Sequence, residues 1–127
     1  MIEKYTHEKH YELMCKWLTH RNMEFQPKEL FSDHGYCVDG NAISFLFTTN
    51  SKVAYIDNTV ANPFVTPEER DVAMKILYDK LEDDALKMGF MVIIRYSNFP
   101  TMKKRLLDRG FFVDGQYERF IKVIRRR

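Results

Sequence analysis

The sequence predicts an α/β fold in which a mixed, mostly antiparallel sheet is flanked by helices. Three observations predict it. Between Gly35 and Val60, β-branched and aromatic runs alternate with tight-turn residues, the pattern of an antiparallel meander. Residues 66–88 carry a complete helix start followed by an apolar repeat of helical period. Phe90-Met91-Val92-Ile93-Ile94 then forms a continuous apolar run, so the long helix reads as a crossover between two strands that lie side by side and parallel.

In chain order, Ile2 to Tyr5 reads as a short strand, and Thr6 caps a helix whose apolar positions Tyr11, Met14, Cys15 and Leu18 follow i, i+3, i+4, i+7. That helix fades near Arg21-Asn22, and one helical turn is expected around Lys28 to Phe31. Three strands follow: Tyr36-Cys37-Val38, Ala42 to Thr49 and Val53 to Val60. They are joined by Asp39-Gly40-Asn41 and Asn50-Ser51, residues that tolerate positive φ in hairpin turns. Asn62-Pro63 ends the third, because proline cannot donate to a ladder. Thr66-Pro67-Glu68-Glu69 supplies a cap, a proline at the first helical position and a capping box. The apolar face of this helix is expected at Val72, Ala73, Ile76, Leu77, Leu81, Ala85 and Met88, with Gly89 as its left-handed end. The run Phe90 to Ile94 reads as a central strand buried on both faces. A last helix, capped by Ser97 or Asn98, buries Met102, Leu106 and Leu107 and stops at Gly110. Phe111-Phe112-Val113, Asp114-Gly115 and Tyr117 to Ile124 read as a closing hairpin.

Composition bounds the rest. The 127 residues are 45% hydrophobic and 14% aromatic, enough to build one core, so residues 1–127 are expected to form a single domain. Twenty Lys and Arg against eighteen Asp and Glu leave a net +2, which excludes a polyanion-coating chain and an acidic disordered one. From Thr101 onward nine basic residues face three acidic ones, but no helix-turn-helix, RNP or zinc pattern points to nucleic acid, and Arg125 to Arg127 read as a solvated tail. No apolar run approaches the roughly 20 residues that span a bilayer, and the first residues lack the apolar stretch of a secretory signal; a cytoplasmic protein without a membrane partner is expected. Cys15 and Cys37 then read as reduced thiols. No Gly-x-Ser-x-Gly, P-loop or His-Glu-x-x-His motif occurs.

This element order resembles the GNAT superfamily, the acetyl-CoA-dependent N-acetyltransferases, and is most similar to the small GNAT-like proteins of bacteriophages. Nearly the whole chain carries the resemblance: Val53 to Pro63 as the fourth strand, Pro67 to Met88 as the long helix, Phe90 to Ile94 as the fifth strand, and Asn98 through Gly110-Phe111. The resemblance implies a V-shaped splay between strands 4 and 5 that bonds the amide-rich arm of acetyl-CoA. It implies transfer of acetyl to a primary amine of a small molecule or protein, and it allows a homodimer. It also implies a loop of the form (Gln/Arg)-x-x-Gly-x-(Gly/Ala) for the cofactor pyrophosphate, which falls here on Glu68-Glu69-Arg70-Asp71-Val72-Ala73. Only Ala73 matches. The acidic first turn repels a diphosphate, so weak or absent cofactor binding is one expectation. A chain that has lost transfer and acts as a binding module is the alternative function.

Site residues follow from the same resemblance. Asp57 matches a strand-4 position for the base that deprotonates the amine, with Tyr55 and Thr59 placed on the same face by period-2 alternation. A hydrogen bond to a neighbouring strand is the other reading of Asp57. Thr59, Val60, Arg70, Asp71, Val72, Ala73 and Asn98 are the cofactor-binding positions. The tyrosine that usually protonates the departing thiolate is replaced by Leu106, leaving Tyr96 and Tyr117 as substitutes, with core packing as the alternative for either. His7 and His10 with Glu3 have a metal-like spacing without a full ligand set, and no metal is expected. His20 and His34 flank residues 22–33, an acceptor-lining region in that superfamily. Phe25, Phe31 and Trp17 read as an apolar acceptor wall or as core.

Overall fold

A computed structural model describes residues 1–97, 99–115 and 119–124, and divides the chain into two compact units, Met1–Tyr96 and Ser97–Arg127. The first unit holds β1 (Ile2–Lys4), α1 (Glu12–His20), β2 (His34–Val38), β3 (Ala42–Phe47), β4 (Val53–Ala61), α2 (Pro67–Lys87) and β5 (Val92–Ile94); the second holds α3 (Pro100–Asp108). A wide π-type turn, His7–Tyr11, leads into α1, with Thr6 accepting from Lys9 N; a 3₁₀ turn occupies Lys28–Leu30. The sheet order is β1-β2-β3-β4-β5, antiparallel except for the parallel β4–β5 pair that the crossover helix requires. No helix among the described residues is long and apolar enough to cross a membrane.

Local chemistry accounts for the connections. Asp39 and Gly40 sit at φ of 53° and 66°, two successive left-handed residues that let Asn41 N reach Val38 O at 2.7 Å. The β3–β4 turn is held by Thr49, whose Oγ1 accepts from Ser51 N and donates to Val53 O. At the start of α2, Thr66 Oγ1 accepts from Glu69 N while the Glu69 carboxylate accepts from Thr66 N, both at 3.2 Å. Gly89 at φ of 90° closes the helix, with Phe90 N bonded back to Ala85 O. α3 ends the same way at Gly110, with Phe111 N bonded to Leu106 O.

Three expectations are corrected. The strand buried on both faces is β3, where Ala42 to Leu46 are fully enclosed; β5 is three residues long, lies at the sheet edge and leaves Val92 49% exposed. An apolar run cannot by itself distinguish a central strand from an edge strand. The buried stripe of α2 is Ala73, Met74, Leu77, Tyr78, Leu81 and Ala85, whereas Val72, Ile76 and Met88 face outward. Packing on the sheet selects the stripe that holds Tyr78 and Met74. The closing hairpin is absent from the described residues: 111–115 and 119–124 carry no strand, and Phe112 and Phe120 are exposed. A β-run needs a ladder partner to persist, and none is found there. Leu107 is likewise exposed on α3.

The sheet has two covered faces. Tyr5, Met14, Trp17, Cys37, Ile43, Phe45 and Val60 pack beneath α1 as one core, with Phe31 and Phe47 partly buried against it. Trp17 and Phe31 therefore belong to the core. Cys37 is fully enclosed there and burial pushes its thiol up to about 11. Burial likewise raises the Tyr5 phenol to about 12. On the opposite face α2 packs against β2, β3 and β4, and Asp84 ties it down by accepting from Tyr36 Oη and from His34 Nε2, the latter at 2.7 Å.

Candidate active site

β4 pairs with β5 only through Val53↔Val92, Ala54↔Ile93 and Tyr55↔Ile94, yet it continues to Ala61. From Ile56 onward β3 is its only strand neighbour among the described residues, so the β5-side edge of β4, here termed the slot, is open from Ile56 to Ala61. A bulge sits in this stretch. Between the pairs Phe45↔Asp57 and Ile43↔Val60, β4 has one residue more than β3, and Asn58 takes a φ of 55°. Asp57 Oδ1 accepts from Asn58 N at 2.8 Å and so holds the bulge locally.

The bulge overturns the expected alternation. Asp57 stays on the α1 face with Phe45 and Tyr55, but Thr59 is carried to the α2 face, where its hydroxyl shares a 2.6 Å hydrogen bond with Ser44. Arg95, the first residue past β5, donates from Nη2 to the same hydroxyl at 2.8 Å, and its guanidinium lies 5.2 Å from the Tyr78 ring centroid. Burial lowers the Arg95 guanidinium from its ordinary value, while Tyr78, Asp57 and Glu82 oppose that shift. Ser44 and Arg95 thus meet at the Thr59 hydroxyl, just past the last β4–β5 pair, and neither was named from sequence. Their signals were a lone hydroxyl inside the apolar run Ile43 to Phe47 and an arginine directly closing the run Phe90 to Ile94.

Gly35 shapes the same face. A Cβ placed on it would lie 2.4 Å from Phe45 Cδ2, so glycine lets the Phe45 ring lie over β2; Asp57 is the register partner of Phe45 on the other side. The side chain of Asp57 is half-buried. Such a carboxylate, two residues past the last β4–β5 pair, can accept a proton from an amine brought to that open strand edge.

The remaining candidates are dispersed. Tyr96 follows Arg95 and is 58% exposed; Tyr117 and Asn98 lie outside the described residues. Val60 is buried in the core, so only its backbone faces the slot. In the first turns of α2, Arg70 donates from Nη1 to Val65 O at 2.7 Å, Asp71 and Val72 point outward, and Ala73 is buried. The helix N-terminus has no glycine turn, and its capping box already occupies Glu69 N and Thr66 N. His7 Nδ1 bonds Tyr5 Oη at 3.0 Å and His10 Nδ1 accepts from Thr6 N, so these rings brace the start of α1. His34 bonds Asp84, while His20 packs on Phe64 with ring centroids 4.6 Å apart. Phe25 is 49% exposed next to Tyr11.

No protein-family model matches the sequence, and no curated protein matches it. Solved structures do share its fold. An aminoglycoside acetyltransferase from an uncultured soil metagenomic sample, solved with sisomicin, superposes with a TM-score of 0.65 at 13% identity, covering 98% of this chain and 96% of that one. An acetyltransferase of Trypanosoma brucei gives 0.64 at 15% identity, covering 96% and 99%. A second soil-metagenome aminoglycoside acetyltransferase gives 0.63 at 14%, covering 97% of each. The α/β architecture, with a five-stranded mixed sheet flanked by helices, is that of these acetyltransferases.

Proposed function

We propose that this chain is a GNAT-type N-acetyltransferase that moves acetyl from acetyl-CoA to a primary amine. One observation carries the reading: the pairing of β4 with β5 ends at Tyr55 and β4 bulges at Asn58, so that among the described residues Ile56 to Ala61 have no strand neighbour on the β5 side. A strand edge without a ladder partner suits the two amides of a pantetheine arm, although Ala61 O already accepts from Arg21 Nη2 at 2.9 Å. The fit is poorer at the diphosphate, where the capping box and Glu68 stand in place of a glycine turn.

When bound, acetyl-CoA supplies an acyl group on a sulfur leaving group. The chain's own part is to hold the amine in line with the thioester carbonyl, to exclude water and to manage two protons. Asp57 takes one proton from the ammonium, directly or through water. With the cofactor bound, Tyr96, Tyr117 or water would give a proton to the departing sulfur and regain one from the nitrogen, which sheds its second proton as the amide forms. The amine acceptor is a small molecule or a protein side chain, and aminoglycosides are the first compounds to assay, because two structural neighbours are aminoglycoside acetyltransferases. A second reading, a ligand-binding chain without transfer, draws on Leu106 at the position of the usual acid and on the occupied helix N-terminus.

Thermal unfolding with acetyl-CoA tests the proposal. Ligand at a hundred times its dissociation constant stabilises by about 2.7 kcal/mol, a rise of roughly 10 °C for a domain of this size. No rise at millimolar acetyl-CoA sinks the transferase reading. Given binding, Asp57→Asn is expected to slow thiol release by about a hundredfold with little change in cofactor affinity; an unchanged rate removes Asp57 from the mechanism.

A further inference from the structure

The peptide unit between Asp57 and Asn58 sits in the β4 bulge, where one residue of β3, Ser44, faces two of β4, Asn58 and Thr59. Side chains hold both of its polar groups. The Asn58 N–H donates to Asp57 Oδ1 at 2.8 Å, and the Asp57 carbonyl accepts from Ser44 Oγ at 3.3 Å. A bulge interrupts the ladder that fixes a peptide plane, so side-chain bonds take over that task. The φ of 55° at Asn58 is the direction in which this plane has turned.

Ser44 does not act alone. Its hydroxyl shares a 2.6 Å bond with the Thr59 hydroxyl, which in turn accepts from Arg95 Nη2 at 2.8 Å. A guanidinium only donates and a carbonyl only accepts. All three contacts are hydrogen bonds at once in one arrangement: Arg95 donates to Thr59, Thr59 to Ser44, and Ser44 to the Asp57 carbonyl. Ser44 is fully buried, and a buried hydroxyl without a partner is destabilising, so this arrangement is enforced from within. The head of the chain is braced by α2, with the Arg95 guanidinium 5.2 Å from the Tyr78 ring centroid. Arg95 directly follows Ile94, the last paired residue of β5, whereas Thr59 lies beyond Tyr55, the last residue of β4 paired with it. The chain of bonds therefore crosses the open strand edge and ties the end of β5 to the bulge.

We propose that Arg95, Thr59 and Ser44 form a positioning relay that fixes the Asp57–Asn58 peptide and, through its N–H, the direction of the Asp57 carboxylate. The relay works from the α2 face while the carboxylate lies on the α1 face, so none of the three residues needs to touch an acceptor amine. Held at Oδ1 by a peptide that is itself held, the carboxylate presents its other oxygen in one direction, the condition for efficient proton transfer. The kinetic consequence rests on the transferase reading; the structural consequence does not.

Amide exchange followed by NMR, together with kinetics, tests the relay. Thr59→Val removes the central hydroxyl at nearly constant shape, and Thr59→Ser keeps it. In the unliganded full chain, exchange of the Asn58 N–H is expected to quicken about tenfold in Thr59→Val, the effect of one lost hydrogen bond, and to stay near the natural rate in Thr59→Ser. Where an aminoglycoside amine releases thiol from acetyl-CoA, kcat in Thr59→Val is expected to fall about tenfold with KM for acetyl-CoA little changed, and Thr59→Ser to restore it. In the Asp57→Asn background Thr59→Val is expected to lower kcat no further, because the relay acts through that carboxylate. Unchanged Asn58 exchange in Thr59→Val, or equal losses of kcat with and without the Asp57 carboxylate, overturns the proposal. Thermal unfolding checks that each variant keeps its fold. If Thr59→Val does not, Arg95→Met, which removes the donor at the head of the chain, is read by the same two measures. Failure of acetyl-CoA to bind refutes the transferase reading, and the exchange of Asn58 then decides the relay by itself.

Discussion

At the scale of single residues, positions with the least freedom surround Asp57. Gly35 is required because the Phe45 ring, whose register partner on β4 is Asp57, occupies the space a Cβ would need. Gly35→Ala forces the ring back across β3 and is expected to cost about 1 to 3 kcal/mol, the range for overpacking a closed core. Urea unfolding measures that loss, and an unchanged midpoint shows that the ring has another resting place. Two further residues, Ser44 and Arg95, act on the slot through Thr59. A hydroxyl in an apolar run is a visible sequence signal, but its partner sits fifteen residues away and depends on the bulge.

At the scale of elements, the bulge in β4 decides which side chains share a face. Asn58 holds a left-handed φ that costs most residues roughly 1 to 2 kcal/mol. Asn58→Val is accordingly expected to destabilise by about that amount, while Asn58→Gly stays near neutral or lowers it slightly; equal stability of the two variants argues that the bulge relaxes. Period-2 alternation across residues 55–59 misplaces Thr59 because it assumes an uninterrupted strand. The capping box of α2 was legible in full, since Thr66, Pro67 and Glu69 act on backbone groups within one turn of themselves. The inward stripe of that helix was not, because Val72 and Ile76 are as apolar as the residues that the sheet selected.

At the scale of the molecule, helix α2 is anchored to the sheet by an ionic cluster as well as by its apolar stripe. Asp84 is 12% exposed at its side chain, with Lys80 Nζ 3.2 Å from Oδ1 and Tyr36 and His34 on Oδ2. Burial alone would raise its pKa; hydrogen bonds from Tyr36, His34 and Lys80, with the charge of Lys80, outweigh that and hold it below the ordinary aspartate value. Burial, then the same carboxylate, raises the Tyr36 phenol to about 12. A carboxylate with a lowered folded pKa contributes stability that is fully present above its unfolded pKa near 4 and is lost as pH falls through the folded value. Urea midpoints are therefore expected to fall below about pH 4, and Asp84→Asn to flatten that part of the profile. An identical slope in the variant excludes Asp84 as a source.

The sequence alone determined everything that depends on neighbours in the chain. Turn residues at Asp39-Gly40, caps at Thr66, Gly89 and Gly110, the order of elements from β1 to α3, and the parallel pairing imposed by a crossover all follow from forces acting over a few residues, whereas the expected closing hairpin does not appear among the described residues. The three-dimensional structure decided what depends on partners far along the chain. β3 rather than β5 became the enclosed strand, Thr59 turned to join Ser44 and Arg95, and Arg21 came to bond Ala61 O at the end of β4. The division has one physical cause: backbone geometry and capping are settled locally, whereas burial and charge proximity are properties of the space that packed elements enclose, which no stretch of sequence contains by itself.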